Sequence, residues 1–425
     1  MSRTIAKPDA DSILQKLGPG LITGAADDDP SGIAAYSQGG AQFGYSLLWT
    51  LFFTYPLMVA IQLVSAKIGR VSGYGLAGNM RRNYPAAMLY GLIGLLLLAN
   101  TINIGADIGA MADALALLIG GPRHAYILAI GVLCIVLQVF VSYARYVRVL
   151  KWLTLSLFSY VGVVFAVDIP WTEVFRETLS PTISLKPEYV TTVVAIFGTT
   201  ISPYLFFWQA SQECEDLRAV KADKPLRSHP GQAAPHMRRM KIDTMMGMAF
   251  SNLIAFFIML TTAATLHTHG VTDIQSSAQA AEALRPLAGR FAFLLFSLGI
   301  IGTGLLAVPV LAGSSAFALS ETFRWRRGLD LPPLKGARFY GVIAASTLIG
   351  VVLGFSPIDP IKALYWAAVL NGIISAPIMA AMMLMAANPK VMGDFVISTR
   401  LKVLGWIATS VMAVAVGFML LQVFV

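Results

Sequence analysis

The chain reads as an all-α integral membrane protein with about eleven transmembrane helices. Three observations predict this. Hydrophobic residues make up 56% of the 425 positions and charged residues only 12%, with a mean hydropathy of +0.70, whereas a soluble domain carries about 25% charge. Apolar segments of roughly 17–25 residues, long enough to cross a bilayer as helices, recur along the whole sequence. Of the 31 Lys and Arg residues, 29 fall between those segments and two, Arg290 and Lys362, at the very start of one, and they divide unequally among the connections.

The first span, 18–40, follows a polar start, MSRTIAKPDADSILQK, which lacks the short apolar core of a cleavable signal peptide. Spans at 46–66 and 87–118 flank a connection with Lys67, Arg70, Arg81 and Arg82. Spans at 125–144 and 152–168 flank Arg145, Arg148 and Lys151. The sixth, 189–210, precedes the most basic connection, RAVKADKPLRSHPGQAAPHMRRMK. Five more follow at 243–266, 288–320, 339–356, 361–386 and 403–424. With the N-terminus inside, inner segments carry 25 basic residues and outer loops 6. That imbalance places the N-terminus in the cytoplasm, in a bacterial-type cytoplasmic (inner) membrane. It also accounts for the net charge of +9 without nucleic acid as a partner. No linker divides the chain, so residues 1–17 read as a cytoplasmic segment and 18–424 as one membrane domain.

The two cysteines, Cys134 and Cys214, supply neither a disulfide framework nor metal-ligand spacing. They read as a buried thiol and a loop thiol, and no histidine sits at mid-span. The acidic residues are more telling. Asp27, Asp28 and Asp29 lie in AADDDPSG within the first span, and otherwise only Asp107 and Asp113 lie well inside a span. Asp107 shares ANTINIGADIGAM with Asn100 and Asn103, which predicts a polar face, either structural or part of an ion path. Carboxylates at membrane depth are expensive and usually mark an ion or substrate pathway.

Span 1, GPGLITGAADDDPSGIAAYSQGG, and span 6, VAIFGTTISPYLFFWQASQ, each carry a Gly followed by a mid-span Pro (Gly24 to Pro30; Gly198 to Pro203). Proline removes a backbone donor and clashes with the preceding turn, so both helices should unwind there. Irregular backbone at membrane depth is tolerated where it is buried or lines a cavity. Broken helices at corresponding places in two halves point to a transport site between inverted repeats. The halves are about 18–168 and 189–386, with an extra helix at 403–424.

GPGLITGAADDDPSG resembles the first helix of the Nramp-type divalent metal transporters, where the signature is DPGN. IFGTTISPY resembles their sixth helix, where a metal-binding Met-Pro-His follows a similar GxT. The resemblance implies a LeuT-type fold, two inverted five-helix repeats holding the metal between helices 1 and 6. Asp29 and Pro30 keep the family's DP, but Gly32 replaces its ligand Asn. Ser202 replaces the methionine and Tyr204 the histidine, while Thr199 occupies the position of the carbonyl ligand. Asn103 and Ala106 fall where proton-coupled members carry acidic residues. These departures resemble the Nramp-related magnesium transporter branch.

The residue chemistry agrees. Thioether and imidazole select softer ions, whereas hard oxygen donors and space for water suit Mg²⁺. Asp29 is the expected direct or water-bridged carboxylate, with Asp28 adding field and hydrogen bonds and Asp27 facing another helix. The Thr199 carbonyl and Ser202 hydroxyl complete a polar wall, and Gly32 leaves room. Tyr204 is a candidate gate; Asn103 and Asp107 are candidate pathway residues. Gln209 and Asn371 are weaker candidates, and a satisfied interhelical amide is the favoured role for each. The run Phe206, Phe207 and Trp208 reads as lipid- or helix-facing packing. The expected function is transport of Mg²⁺, and also Mn²⁺, without proton coupling or a cofactor; the ion is the substrate. An intramembrane enzyme is disfavoured, because diphosphate chemistry needs two Asp clusters and mid-span cations. A channel lacks repeated filter rings. A proton-coupled Mn²⁺/Fe²⁺ transporter and a sodium-coupled organic-solute symporter of the same fold remain the rival readings.

Overall fold

A computed structural model describes residues 24, 26–141, 153–220 and 222–424. The expected segment 1–17, the start of span 1, and the end of span 4 with the basic connection after it lie outside the described residues. Within them the chain forms helices and no strand. Helices α1 (Pro30–Phe43) and α2 (Leu48–Ser72) are separated by Gly44, whose φ of 59° no ordinary side chain adopts readily. Then come α3 (Ala86–Ile119), α4 (Arg123–Phe140) and α5 (Phe158–Val164). Span 6 is two helices, α6 (Pro187–Thr200) and α7 (Pro203–Ala219). The chain continues through α8 (Ala233–Thr265), α9 (Ala292–Phe323), α10 (Ala337–Gly354), α11 (Pro360–Ala386) and α12 (Thr399–Phe424).

Nine helical stretches among the described residues are long and apolar enough to cross a membrane. One of them, Pro30–Ser72, contains both α1 and α2. Leu155–Val164 is a further, shorter apolar helix. The fifth expected span is thus less than a full crossing within the described residues. Other helices overrun the expected limits: α3 has 34 residues, about 51 Å at 1.5 Å per residue. Helix α2 runs past 66 and so takes in Arg70, a basic residue expected outside any helix span. Arg70 is 1% exposed, 2.6 Å from Asp223 and 3.9 Å from Glu213. Its burial is tolerable because those carboxylates neutralise it.

Proline alone does not break a helix here. Pro56, Pro309 and Pro377 sit inside α2, α9 and α11, which continue through them. Pro30 and Pro203 instead start new helices, where the missing N–H is no loss. The residues before them are extended, Asp29 at ψ 168° and Ser202 at ψ 134°. Each also repairs the break from a different side. Asp29 accepts the N–H of Gly32 at the start of α1, whereas the Ser202 hydroxyl contacts the orphaned carbonyls of Gly198 and Thr199 at the end of α6.

Helix α1 packs on α8, α11 and α6; α7 packs on α2; and α3 meets α9, α10 and α11. Small residues let α6 and α11 approach closely. A Cβ at Gly198 would lie 2.0 Å from the Ala368 carbonyl oxygen and 2.4 Å from the Gly372 nitrogen, both rigid backbone. Overpacking typically costs about 1–3 kcal/mol, and backbone is the least able to yield. Gly198→Val is therefore expected to lose the monodisperse peak in size-exclusion chromatography. Gly341→Val, whose Cβ meets nothing within 4 Å, should run as wild type. A monodisperse Gly198→Val protein with unchanged melting temperature would contradict this packing.

Candidate functional site

The break in the first span brings Asp29 to the centre of a buried polar cluster. Its Oδ1 accepts from the Ser31 hydroxyl at 2.6 Å and the Gly32 N–H at 2.8 Å. Its Oδ2 accepts from Asn103 Nδ2 at 3.2 Å and is 3.2 Å from the Tyr204 hydroxyl. Tyr204 also lies 3.1 Å from the Ala26 carbonyl oxygen. Its single hydroxyl proton is shared between a backbone carbonyl before the break and the carboxylate within it. Asp29 is 1% exposed and Tyr204 fully buried. The expected gate residue thus bridges α7 to both sides of the break.

Helix α3 supplies the next layer. Asn103 Nδ2 also donates to Asp107 Oδ2 at 3.1 Å, and its Oδ1 accepts from Asn371 on α11 at 3.0 Å. Asn371 and Asp107 are fully buried, and each keeps one oxygen, Oδ1, without a hydrogen-bond partner. Asp29, Asn103, Asp107, Tyr204 and Asn371 therefore form one connected group drawn from four helices. Ala106 belongs elsewhere: it lines a cavity of about 370 Å³ between α3, α10 and α11, whose lining includes neither Asp29 nor Asn103. Gln209 is buried on α7, six residues beyond Pro203.

Three expected site positions look different in three dimensions. The Ser202 hydroxyl is turned back on α6, 2.8 Å from the Gly198 oxygen and 2.7 Å from the Thr199 oxygen. It thereby holds the carbonyl expected to face the ion. The space expected at Gly32 is closed, because a Cβ there would lie 2.9 Å from Thr199 Oγ1 and 3.2 Å from Tyr36 Cε2. With no side chain at Gly32, Thr199 of α6 and the Tyr36 ring occupy the place. Thr199 presents its buried Oγ1 at that contact, beside the Tyr36 hydroxyl with which it pairs.

Asp27 and Asp28 face α8. Ser251 Oγ lies 2.5 Å from Asp27 Oδ2 and 3.2 Å from Asp28 Oδ1. Ser251, the lone hydroxyl in MAFSNLIAFF, was not singled out in the sequence, where nothing marks its helix face. Tyr36, a fully buried residue on α1, was also missed. One lesser reading changes and another narrows to its helix-facing half. Cys214 is no loop thiol: it is 3% exposed on α7, with its Sγ 3.6 Å from the Gly69 oxygen. Phe206, Phe207 and Trp208 all pack inward, at no more than 1% exposure, and none faces lipid.

Every donor to these carboxylates is neutral: hydroxyl, amide or backbone N–H. Every atom offered to a cation is an oxygen. Among the described residues no three His, Cys, Asp or Glu side chains converge into a ready metal cage. The arrangement suits an ion that takes one or two carboxylates and keeps water.

The family model described as natural resistance-associated macrophage protein-like matches residues 20–422. The divalent metal cation transporter MntH of Caldanaerobacter subterraneus subsp. tengcongensis is 25% identical over 426 residues, covering 96% of this chain and 93% of its own. The protein of that name from Klebsiella pneumoniae (strain 342) is 24% identical over 427 residues, covering 96% and 94%. Among solved structures, the Eremococcus coleocola manganese transporter superposes with a TM-score of 0.78 at 17% identity, covering 99% of this chain and 89% of that one. Mhp1, a nucleobase-cation-symport-1 family transporter, gives 0.57 at 16% identity, covering 95% and 92%. The chain belongs to the natural resistance-associated macrophage protein-like (Nramp) family, whose members are transporters and not enzymes.

Proposed function

We propose that this Nramp-family chain carries a partly hydrated divalent cation across the cytoplasmic membrane, Mg²⁺ and also Mn²⁺, without obligatory proton coupling. The breaks in span 1 and between α6 and α7 form the site, alternately open to either side. The N-terminus is cytoplasmic, and the two inverted repeats are about 18–168 and 189–386. The relatives named as divalent metal cation transporters support the ion class. One observation carries the preference for Mg²⁺: the cluster around Asp29 offers oxygen alone, with neither thioether nor imidazole. Asp29 is the ion's carboxylate, Asp28 adds field, and Thr199, Ser202 and Gly32 shape the wall. Tyr204, Asn103, Asp107, Gln209 and Asn371 line the path. Flux into proteoliposomes tests this directly. Mg²⁺ uptake should be saturable and independent of Na⁺, whereas Na⁺-driven uptake of a labelled amino acid, with no Mg²⁺ flux, would sink it.

Proton coupling has a separate test. Asn103, Ala106 and Tyr204 relay no proton near neutral pH, where His or a carboxylate does. Mg²⁺ uptake should leave a lumenal pH dye unchanged. Metal-dependent acidification that disappears in Asp107→Asn would overturn this part of the reading.

A further inference from the structure

We propose that the cavity between α3, α10 and α11 holds an acyl chain of an anionic phospholipid, whose phosphate rests on Arg123 at the start of α4. The inference goes beyond the transport reading and takes from it only the orientation, which puts Arg123 at the outer leaflet. The cavity measures about 370 Å³, within the range of roughly 300–1,000 Å³ usual for ligand pockets. Ile102, Leu353, Trp366 and Leu370 line it with apolar surface, and among the described residues Arg123 is the one charged side chain in its wall. Leu353 and Trp366 are also exposed on the outside of the protein, so the cavity opens sideways, towards the bilayer. A free anion gains nothing from such walls, whereas an acyl chain buries apolar surface there.

Charge at the mouth decides the headgroup. Arg123 opens α4, an 18-residue helix with no side-chain cap and no acidic residue in its first turn. A helix N-terminus carries positive partial charge, so it disfavours a cation and welcomes an anion. The guanidinium is separately short of acceptors. It makes one hydrogen bond, a long 3.4 Å from Nη2 to the Gly354 oxygen, while its buried Nε makes none and no carboxylate among the described residues pairs with it. Every residue from 26 to 141 is described, and Phe140, at the other end of α4, is about 27 Å away. Space remains in front of the guanidinium: a Cβ on Gly109 would meet only Nη2, at 3.5 Å. Arginine is suited to phosphate, which it grips with two parallel hydrogen bonds. The cavity also adjoins the buried polar group. Ile102 and Leu370 stand next to Asn103 and Asn371, the pair whose hydrogen bond joins α3 to α11, so an acyl chain there braces those two helices.

Native mass spectrometry and thermal unfolding of the purified full-length protein, stripped of lipid in dodecyl maltoside, test the site. With dioleoyl phosphatidylglycerol, the wild type should retain one more tightly held lipid per chain than Arg123→Gln, and its melting temperature should rise. Arg123→Gln should bind that lipid about tenfold more weakly, as expected for a lost hydrogen bond to a charged group. Gly109→Leu keeps Arg123 but fills the cavity, and should lose the same lipid. Arg285→Gln, which removes an exposed cation paired with Glu282, should behave as wild type. Inorganic phosphate should neither displace the lipid nor raise the melting temperature, and dioleoyl phosphatidylcholine should be held more weakly. Equal retention and equal stabilisation in the wild type, Arg123→Gln and Gly109→Leu would overturn the site. Displacement by inorganic phosphate alone would make it a free-anion site instead, and equal retention of phosphatidylcholine would remove the role given to charge. None of these readouts depends on which ion is carried, so they stand or fall apart from the transport reading.

Discussion

Asp29→Ala is expected to abolish divalent-cation flux in a protein that still folds and inserts. Asp29 is the carboxylate at which α1, α3 and α7 meet, through Gly32, Asn103 and Tyr204. Alanine removes the charge and also the cap of α1, which costs about 0.5–2 kcal/mol. Asp29→Asn separates those two effects. Asparagine caps a helix about as well as aspartate, so this variant should match the wild type in melting temperature. It should nevertheless lose Mg²⁺ uptake as completely as the alanine variant, because the charge has gone, and with it the acceptor that meets Asn103 and Tyr204. Asp28→Ala should reduce uptake less than either. Normal Mg²⁺ uptake by well-expressed Asp29→Asn would remove Asp29 from the site.

Ser202→Met combined with Gly32→Asn should shift selectivity towards softer ions. The thioether favours Mn²⁺ or Cd²⁺ over Mg²⁺, and the larger side chains displace coordinated water. Methionine also removes the hydroxyl that engages the Gly198 and Thr199 carbonyls, so the Thr199 oxygen becomes available to an ion. Gly32→Asn alone meets a steric obstacle, since its Cβ would lie 2.9 Å from Thr199 Oγ1 and that hydroxyl must rotate away. Each single variant is therefore expected to do less than the pair. Inhibition of Mg²⁺ uptake by Cd²⁺ should strengthen about tenfold or more in the double variant, roughly 1.4 kcal/mol of added preference, while Mg²⁺ transport falls. An unchanged Cd²⁺ inhibition constant in a folded double variant would mean that these positions do not set selectivity.

The helical membrane-spanning architecture was legible because hydropathy is a property of long segments, insensitive to detail. The two breaks were expected from a Gly followed by a mid-span Pro, but Gly304 to Pro309 and Gly372 to Pro377 repeat that spacing within continuous helices. What sets Pro30 and Pro203 apart is the preceding residue, Asp29 or Ser202, whose side chain repairs a severed helix. Pro56, Pro309 and Pro377 follow Tyr55, Val308 and Ala376, which carry no such group or pack within a continuous helix. Partners across helices were less legible. Ser251 and Tyr36 lie on helices too apolar for any periodicity to mark a polar face, so only packing identifies what they meet. The room expected at Gly32 failed for a related reason: the absence of a side chain between two helices makes space only if neighbouring side chains leave it empty. The thiol of Cys214 was misplaced because α7 continues to Ala219, beyond the apolar residues that delimit a span.

The central claim is that a divalent cation is held at the break by oxygen alone, with Asp29 as its carboxylate. Anomalous scattering from crystals soaked in Mn²⁺ tests it most directly. The expected result is a peak within direct or single-water reach of Asp29, facing the turn from Thr199 to Ser202, with water completing the coordination. Peaks confined to acidic side chains of the outer loops, with none within single-water reach of Asp29, would contradict it.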